Sequence, residues 1–132
     1  MHGKPENLRE LWTRISGFLR TPVIRKYSFA SDLKLYNKAG ISALCEYSLL
    51  SDNAYPTYAV TKKEITASGI KSIREVGAGV EIGCVVLELG YFIDFENKAL
   101  QDPLSVALSM TEEEQKDERV CLSVKEMLEE YL

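Results

Sequence analysis

Apolar residues recur at helical spacing near the start, in the middle and at the end of the chain. Residues 6–20 are predicted to form an amphipathic helix whose wide apolar stripe consists of Leu8, Leu11, Trp12, Ile15, Phe18 and Leu19. Residues 39–50 are predicted to form a helix with the apolar face Ile41, Leu44, Cys45, Ser48 and Leu49. In residues 111–131 a threonine and three glutamates form a capping box ahead of the stripe Val120, Val124, Met127, Leu128 and Tyr131.

Two shorter helices are marked by capping signals. Thr61 and the glutamate three residues later form the pattern of a capping box, and Gly69 is placed to end that helix. Asp102 and the proline after it predict an N-cap that opens a helix running to Met110. Both signals are local, because each places a side-chain acceptor beside backbone N–H groups that have no partner within the helix.

Strand-like segments alternate with these helices. Aromatic and β-branched residues predict three strands, over residues 23–30, 55–61 and 72–76. An apolar run from Val80 to Phe95 predicts the central strand or pair of strands, with a bulge or bend at Gly83 or Gly90. We therefore expect an α+β fold with a central, mainly antiparallel sheet of four to five strands, packed by the N- and C-terminal helices.

Length and composition agree with a single domain over residues 1–132. The 132 residues are 45% apolar and 27% charged, which excludes collagen-like and wholly disordered chains. No apolar run reaches the roughly 18 residues that a membrane helix needs, and the start of the chain has no signal-like stretch, so we expect a cytoplasmic protein without membrane association. Three cysteines match neither a zinc nor a redox spacing and are expected to be buried thiols: Cys45, Cys84 and Cys121.

Charge is unevenly distributed along the chain. Residues 1–40 contain eight Lys and Arg against three Asp and Glu, whereas the net charge of the whole chain is −4. Because phosphate contacts supply much of the affinity for nucleic acids, three arginines of this basic start are candidate phosphate contacts: Arg14, Arg20 and Arg25. The alternative is that these side chains lie on solvated faces and pair with the acidic half. A net acidic domain is a poor DNA binder by itself, so we expect DNA contact only through a separate module.

No catalytic centre is evident from the residue types. His2 is the only histidine and is close to the terminus, so a Ser-His or Cys-His pair has no credible base. A metal-dependent nuclease is the enzymatic alternative, with candidate carboxylates at Asp52, Glu81, Glu88 and Asp94. In an unbulged strand Glu81 and Glu88 would lie on opposite faces of the sheet, since their separation is odd, although a glycine bulge could realign them. We therefore predict no catalytic residue, no metal and no cofactor.

Four short stretches carry a family resemblance. They are Gly-Ile-Ser-Ala-Leu of the middle helix, the proline-bearing strand after it, Asp-Pro-Leu-Ser at 102–105 and Asp-Glu-Arg-Val at 117–120. Together they resemble the C-terminal effector region of bacterial winged-helix regulators, described as MarR-like transcriptional regulators or abortive-infection antitoxins, over roughly residues 35–131. The resemblance implies a regulatory domain without a cofactor and without functional residues to transfer. The DNA-reading winged helix of that family would precede this region. The resemblance therefore implies either the effector domain of a longer regulator or a free-standing relative without DNA binding.

The sequence thus favours a non-catalytic regulatory domain that senses a ligand or a protein partner, in a transcriptional regulator or an antitoxin-like protein. The alternatives are the nuclease and a stand-alone protein-interaction module. In that module the stripe of the first helix would dock a partner or a second copy of the chain, through Leu8, Trp12 and Ile15.

Overall fold

A computed structural model of the chain describes residues 21–50, 55–93, 95–96 and 98–131. The strands are β1 (Val23–Phe29), β2 (Thr57–Thr61) and β3 (Cys84–Leu89). The helices are α1 (Gly40–Tyr47), α2 (Lys62–Ser68), α3 (Pro103–Leu108), α4 (Glu112–Lys116) and α5 (Glu118–Tyr131), with a 3₁₀ turn over Ile70–Ser72. The predicted helix over 6–20 lies outside the described residues, and so do Leu8, Trp12, Ile15, Arg14 and Arg20.

The fold is α+β, as predicted, but the sheet is smaller and mixed. Its order is β1-β3-β2, with β1 antiparallel to β3 and β2 parallel to it. The prediction of four to five mainly antiparallel strands is therefore wrong. The run from Val80 to Phe95 supplies one strand of six buried residues. The residues after the 3₁₀ turn form no strand, although the N–H of Val76 donates to Ser28 O of β1 at 2.8 Å.

Two short segments, residues 37–39 and 99–101, continue the hydrogen bonding of the sheet beyond β2. The N–H of Ala59 donates to Asn37 O at 2.9 Å, and the N–H of Ala39 donates to Thr57 O at 3.1 Å. On the side away from β2, Lys38 forms a further bridge, to Leu100. These segments pair through single bridges and do not form strands.

The irregularity predicted at the glycines is found on the neighbouring strand. The register of β1 against β3 shifts between Val23 and Arg25, opposite the end of β3. Gly90 lies beside the displaced residue, and a Cβ there would be 3.5 Å from the Ile24 side chain. Gly83 makes a closer approach, since its N–H donates to Phe29 O at 2.7 Å and an added Cβ would overlap the Ala30 carbonyl.

Alternation along β3 separates two apolar layers. Cys84 and Val86 face a cluster that includes Tyr27, Phe29 and Ile65, where α2 covers the sheet. Val85, Leu87 and Leu89 lie on the opposite face with Ala39 and Ala59. A third cluster joins the helices, because α5 packs on α1 and α3 while α1 contacts β2. The C-terminal helix thus packs on other helices, and not directly on the sheet as predicted.

The middle helix is shorter than its apolar pattern suggests. It ends at Tyr47, so Leu49 lies beyond it and is 97% exposed, although it was predicted to share the buried face. Ala43 and Tyr47 are buried in its place. Two of the three predicted buried thiols, Cys84 and Cys121, are buried, and Cys45 is half-buried.

The predicted caps are confirmed. Thr61 and Glu64 exchange both hydrogen bonds of a capping box, at 3.3 and 3.0 Å, and Gly69 ends α2 in the left-handed region with φ 73°. Asp102 accepts from the N–H of Ser105 at 3.1 Å and caps α3.

The C-terminal helix was predicted as one element and is two. Thr111 and Glu114 form its predicted capping box, at 3.1 and 2.8 Å, but α4 ends at Lys116, and the backbone of Asp117 after it is extended. The Asp117 carboxylate accepts from the N–H of Arg119 at 2.9 Å and so begins α5. None of the helices in the described part of the chain is long and apolar enough to span a bilayer.

Candidate partner-binding groove

An open cavity of about 630 Å³ lies between the end of α1, the residues flanking β2, and the helices α4 and α5. Its apolar lining consists of Ile41, Leu49, Leu50, Tyr55, Val120 and Leu122. Its acidic lining consists of Glu113, Glu114, Asp117 and Glu126. We call this cavity the acidic groove. An apolar floor beside charged groups is typical of a surface that receives an amphipathic segment.

Three of the four carboxylates of the groove lie where its helices begin. Glu113 and Glu114 lie in the first turn of α4, and Asp117 opens α5, so each carboxylate is next to the positive end of a helix dipole. The hydrogen bond from the Arg119 N–H lowers the pKa of Asp117 below the usual range of an aspartate. Glu114 and Asp117 therefore both cap a helix and contribute to the acidity of the groove.

Two leucines of the groove are unusually exposed. Leu49 is 97% exposed and Leu122 is 53% exposed, although both are large and apolar. Leu122 points away from the buried stripe of α5, where Val120 and Val124 pack inward. Single exposed leucines are common on protein surfaces, but two that line one cavity form a patch that favours association with another apolar surface.

The charge of the groove favours a cationic ligand. Four of its lining residues are acidic, and Arg119 is the one basic residue among the described lining. The Arg119 guanidinium is 3.7 Å from the Asp117 carboxylate, and its side chain is 82% exposed, so the ion pair is weak. A basic ligand would therefore meet an excess of three negative charges.

The predicted phosphate contact that lies within the described residues is Arg25 on β1. Its side chain is 3.6 Å from the Glu75 carboxylate and lies over the Tyr27 ring at 4.6 Å. The side chain thus has two neighbours within the chain. The structure describes neither Arg14 nor Arg20, so the predicted trio stays a prediction.

The candidate nuclease carboxylates are not brought together in the described residues. Glu88 is 5% exposed on β3 and accepts a hydrogen bond from the Tyr27 hydroxyl at 3.0 Å. Glu81 is exposed in the segment before β3, and Asp52 and Asp94 lie outside the described residues. Among the residues described, no group of three or more His, Cys, Asp or Glu side chains is arranged to hold a metal ion.

A second polar contact links the sheet to the loop after β1. The Tyr58 hydroxyl donates to Asp32 Oδ1 at 2.6 Å. This hydrogen bond, together with one from the backbone N–H of Lys34, lowers the pKa of Asp32, while burial raises the pKa of Tyr58. Burial also raises the pKa of the nearby Cys84 thiol, which keeps it protonated and unreactive near neutral pH.

Tyr58→Phe removes the hydrogen bond to Asp32 and is expected to reduce the free energy of unfolding by about 1 kcal/mol at pH 7. The loss is no larger because Asp32 is exposed, so water replaces part of the lost hydrogen bond. A carboxylate with a lowered native pKa stabilises the fold above the ordinary aspartate pKa of about 3.9. The difference between wild type and variant should therefore shrink as the pH falls through the lowered pKa of Asp32.

Urea unfolding from pH 7 down to pH 2 measures this difference. Tyr36→Phe removes a hydroxyl from a side chain that is 81% exposed, and it should leave stability unchanged at every pH. A Tyr58→Phe effect that persists undiminished in acid would contradict the role given to Asp32.

The acidic groove has to be interpreted from its own residues. The apolar pattern predicts Leu49 on the buried face of the middle helix, and it assigns no ligand to the acidic residues of the last helix. The one available signal was Leu122, an apolar residue off the predicted stripe of α5. Comparison of the chain with protein-family models, with curated proteins and with solved structures found no match in any of the three.

Proposed function

We propose that this chain is a non-catalytic binding domain that senses a protein partner through the acidic groove. The observation that carries the proposal is the placement of two exposed leucines, Leu49 and Leu122, beside four carboxylates in one open cavity. The matching ligand is a helical or extended segment with apolar side chains on one side and Lys or Arg beside them. The apolar contacts would supply affinity, and the carboxylates would select the charge of the partner.

We propose a regulatory setting for this binding, in a transcriptional regulator or an antitoxin-like protein, and the support for it is the resemblance of short sequence stretches. Two of those stretches build the helical side of the domain, since Asp102 caps α3 and Asp117 begins α5. Their role here is to position the groove. Contact with DNA would then belong to a separate winged-helix module, and the groove would receive the regulatory partner.

A labelled basic peptide tests the proposed function. The probe is a 15-residue fluorescein-labelled peptide with leucines at helical spacing and lysines on their flanks, and its binding to the full chain is followed by fluorescence polarisation. In the groove variant Glu113→Lys with Glu126→Lys, two lining carboxylates become cations, which should raise the Kd by about tenfold or more.

A matched control separates the groove from the general charge of α5. Glu129→Lys with Glu130→Lys makes the same change of net charge at exposed positions of α5 that do not line the cavity. This control should keep the Kd within about threefold of the wild-type value, since distant exposed charges are screened by salt. Equal losses in both double variants, or no binding by any variant of the chain, would contradict the proposed function.

A further inference from the structure

Resting on the proposed function, we propose that Arg119 determines which basic ligands the acidic groove accepts, because its guanidinium is an internal counter-ion that the ligand displaces from Asp117. A cation of the ligand then takes the place of the guanidinium beside the Asp117 carboxylate. Three observations support the inference: the unequal availability of the four carboxylates, the weakness of the Arg119 ion pair, and the position of Arg119 in its helix.

The four carboxylates of the acidic groove are not equally available to a ligand. Glu114 accepts a backbone N–H in the capping box of α4, so its charge is partly used within the chain. Asp117 already has a cation beside it, since the Arg119 guanidinium is 3.7 Å from its Oδ2. Glu113 and Glu126 line the same cavity and form no ion pair with any residue that the structure describes. Binding at Asp117 therefore requires an exchange of cations, whereas binding at the two unpaired glutamates does not.

The guanidinium can leave Asp117 without disturbing the fold. The Arg119 side chain is 82% exposed, and the 3.7 Å separation is longer than that of a charge-assisted hydrogen bond. Exposed pairs of this kind contribute little to stability, because water and salt screen them. The Asp117 Oδ1 separately accepts the backbone N–H of Arg119 at 2.9 Å. Loss of the side-chain contact therefore leaves the start of α5 in place.

Helix stability does not account for a cation at this position. Arg119 is the second residue of α5 and lies near the positive end of the helix dipole, where a cation is unfavourable. Its largely exposed side chain adds nothing to the buried core. It does place a positive charge in the lining of the groove, where the other described charged residues are acidic. The groove, and not the helix, therefore gives this charge a role.

The exchange makes the groove selective for the position of charge on its ligand. A ligand whose cations reach only Glu113 and Glu126 leaves the guanidinium in place and meets its repulsion. A ligand with a further cation at Asp117 displaces the guanidinium into solvent instead. Two basic segments of equal net charge are therefore distinguished by where their cations lie, since an unfavourable charge contact acts against one of them.

Arg119→Gln tests the exchange with the fluorescein-labelled basic peptide and the full chain. The variant removes the competing cation, so the peptide should bind it about threefold more tightly than wild type, an amount typical of one exposed ion pair. Lys116→Gln makes the same change of net charge at an exposed position of α4 that does not line the cavity, and it should leave the Kd within about 1.5-fold of wild type. Far-UV circular dichroism and a urea midpoint establish that each variant is folded.

A double-mutant cycle with Asp117→Asn separates exchange from simple repulsion. Asparagine keeps an oxygen that can accept the N–H of residue 119, so the start of α5 is preserved. If the guanidinium competes for the carboxylate, Arg119→Gln should change the Kd by less than about 1.5-fold in the Asp117→Asn background. An equal gain in both backgrounds would show that Arg119 acts only by repulsion, and it would overturn the inference.

The outcomes distinguish this inference from the proposed function. Unchanged or weaker binding by Arg119→Gln, or equal gains from Arg119→Gln and Lys116→Gln, would overturn the role of Arg119. A loss of affinity in Glu113→Lys with Glu126→Lys would then still keep the groove as the binding site. No peptide binding by wild type or by any variant would overturn both.

Discussion

Gly83→Ala is expected to lower the free energy of unfolding by about 3 kcal/mol, close to the upper range for overpacked sites. The residue lies directly before β3 and donates its N–H to Phe29 O at 2.7 Å. An added Cβ would overlap the carbonyl of Ala30, which is backbone and cannot rotate away. The end of β1 would have to move away from the central strand. Urea unfolding followed by circular dichroism measures the loss.

Gly77→Ala is the matched control. A Cβ at Gly77 would have no heavy atom within 4 Å, and the backbone there is not left-handed. The same methyl group should leave stability within about 0.5 kcal/mol of wild type or raise it slightly, because it restricts the unfolded chain. Similar losses at both positions would contradict the close approach of Gly83 to Ala30.

Gln101→Ala is expected to reduce the free energy of unfolding by a similar amount, about 3 kcal/mol, through a different cause. Gln101 is fully buried, its Oε1 accepts from the N–H of Gly40 at 3.1 Å, and its Nε2 donates to Ser109 Oγ at 3.0 Å. Truncation would leave the Gly40 N–H buried without its acceptor and would open a cavity between α1 and α3. Thermal or urea unfolding of the variant gives the value.

Gln115→Ala provides the comparison for this site. The Gln115 side chain is half-buried and donates to Met110 O at 3.1 Å, so water can replace the lost contact. Its removal should lower stability by about 1 kcal/mol or less. A Gln101 variant no less stable than the Gln115 variant would show that the buried hydrogen bonds do not hold α1 against α3.

The features predicted correctly from the sequence are those with local causes. Thr61 with Glu64, Thr111 with Glu114, and Asp102 each cap a helix through side chains within three residues, so their pattern alone carries the information. The strands β1 and β2 likewise follow from short runs of aromatic and β-branched residues.

The features that the sequence did not predict depend on distant residues. Val85 pairs with Thr57 in parallel, across a connection that contains a helix, and no local pattern specifies the direction of that pairing. Residues 72–76 have the composition of a strand, yet Ser72 ends a 3₁₀ turn that begins after the left-handed Gly69, and the residues after it form no strand.

The acidic groove also depends on residues that are distant in the chain. Leu49 and Leu122 are 73 positions apart in the chain, and only the packing of α5 on α1 places both on one cavity. The acidic residues around them were visible in the sequence. The sequence did not show that they line a cavity, because an acidic face beside solvent and an acidic wall beside an apolar floor have the same composition.

The central strand is also the last strand of the described sheet to be synthesised. β1 ends at Phe29, and its partner β3 is complete only at Leu89. At a translation rate of about 5–20 residues per second, β1 waits roughly 3–12 s for its partner on the ribosome. During that time its exposed edge could pair with another nascent chain. Arg25 and Lys26, in the middle of β1, oppose such pairing by charge repulsion, so this strand carries its own protection against aggregation during synthesis.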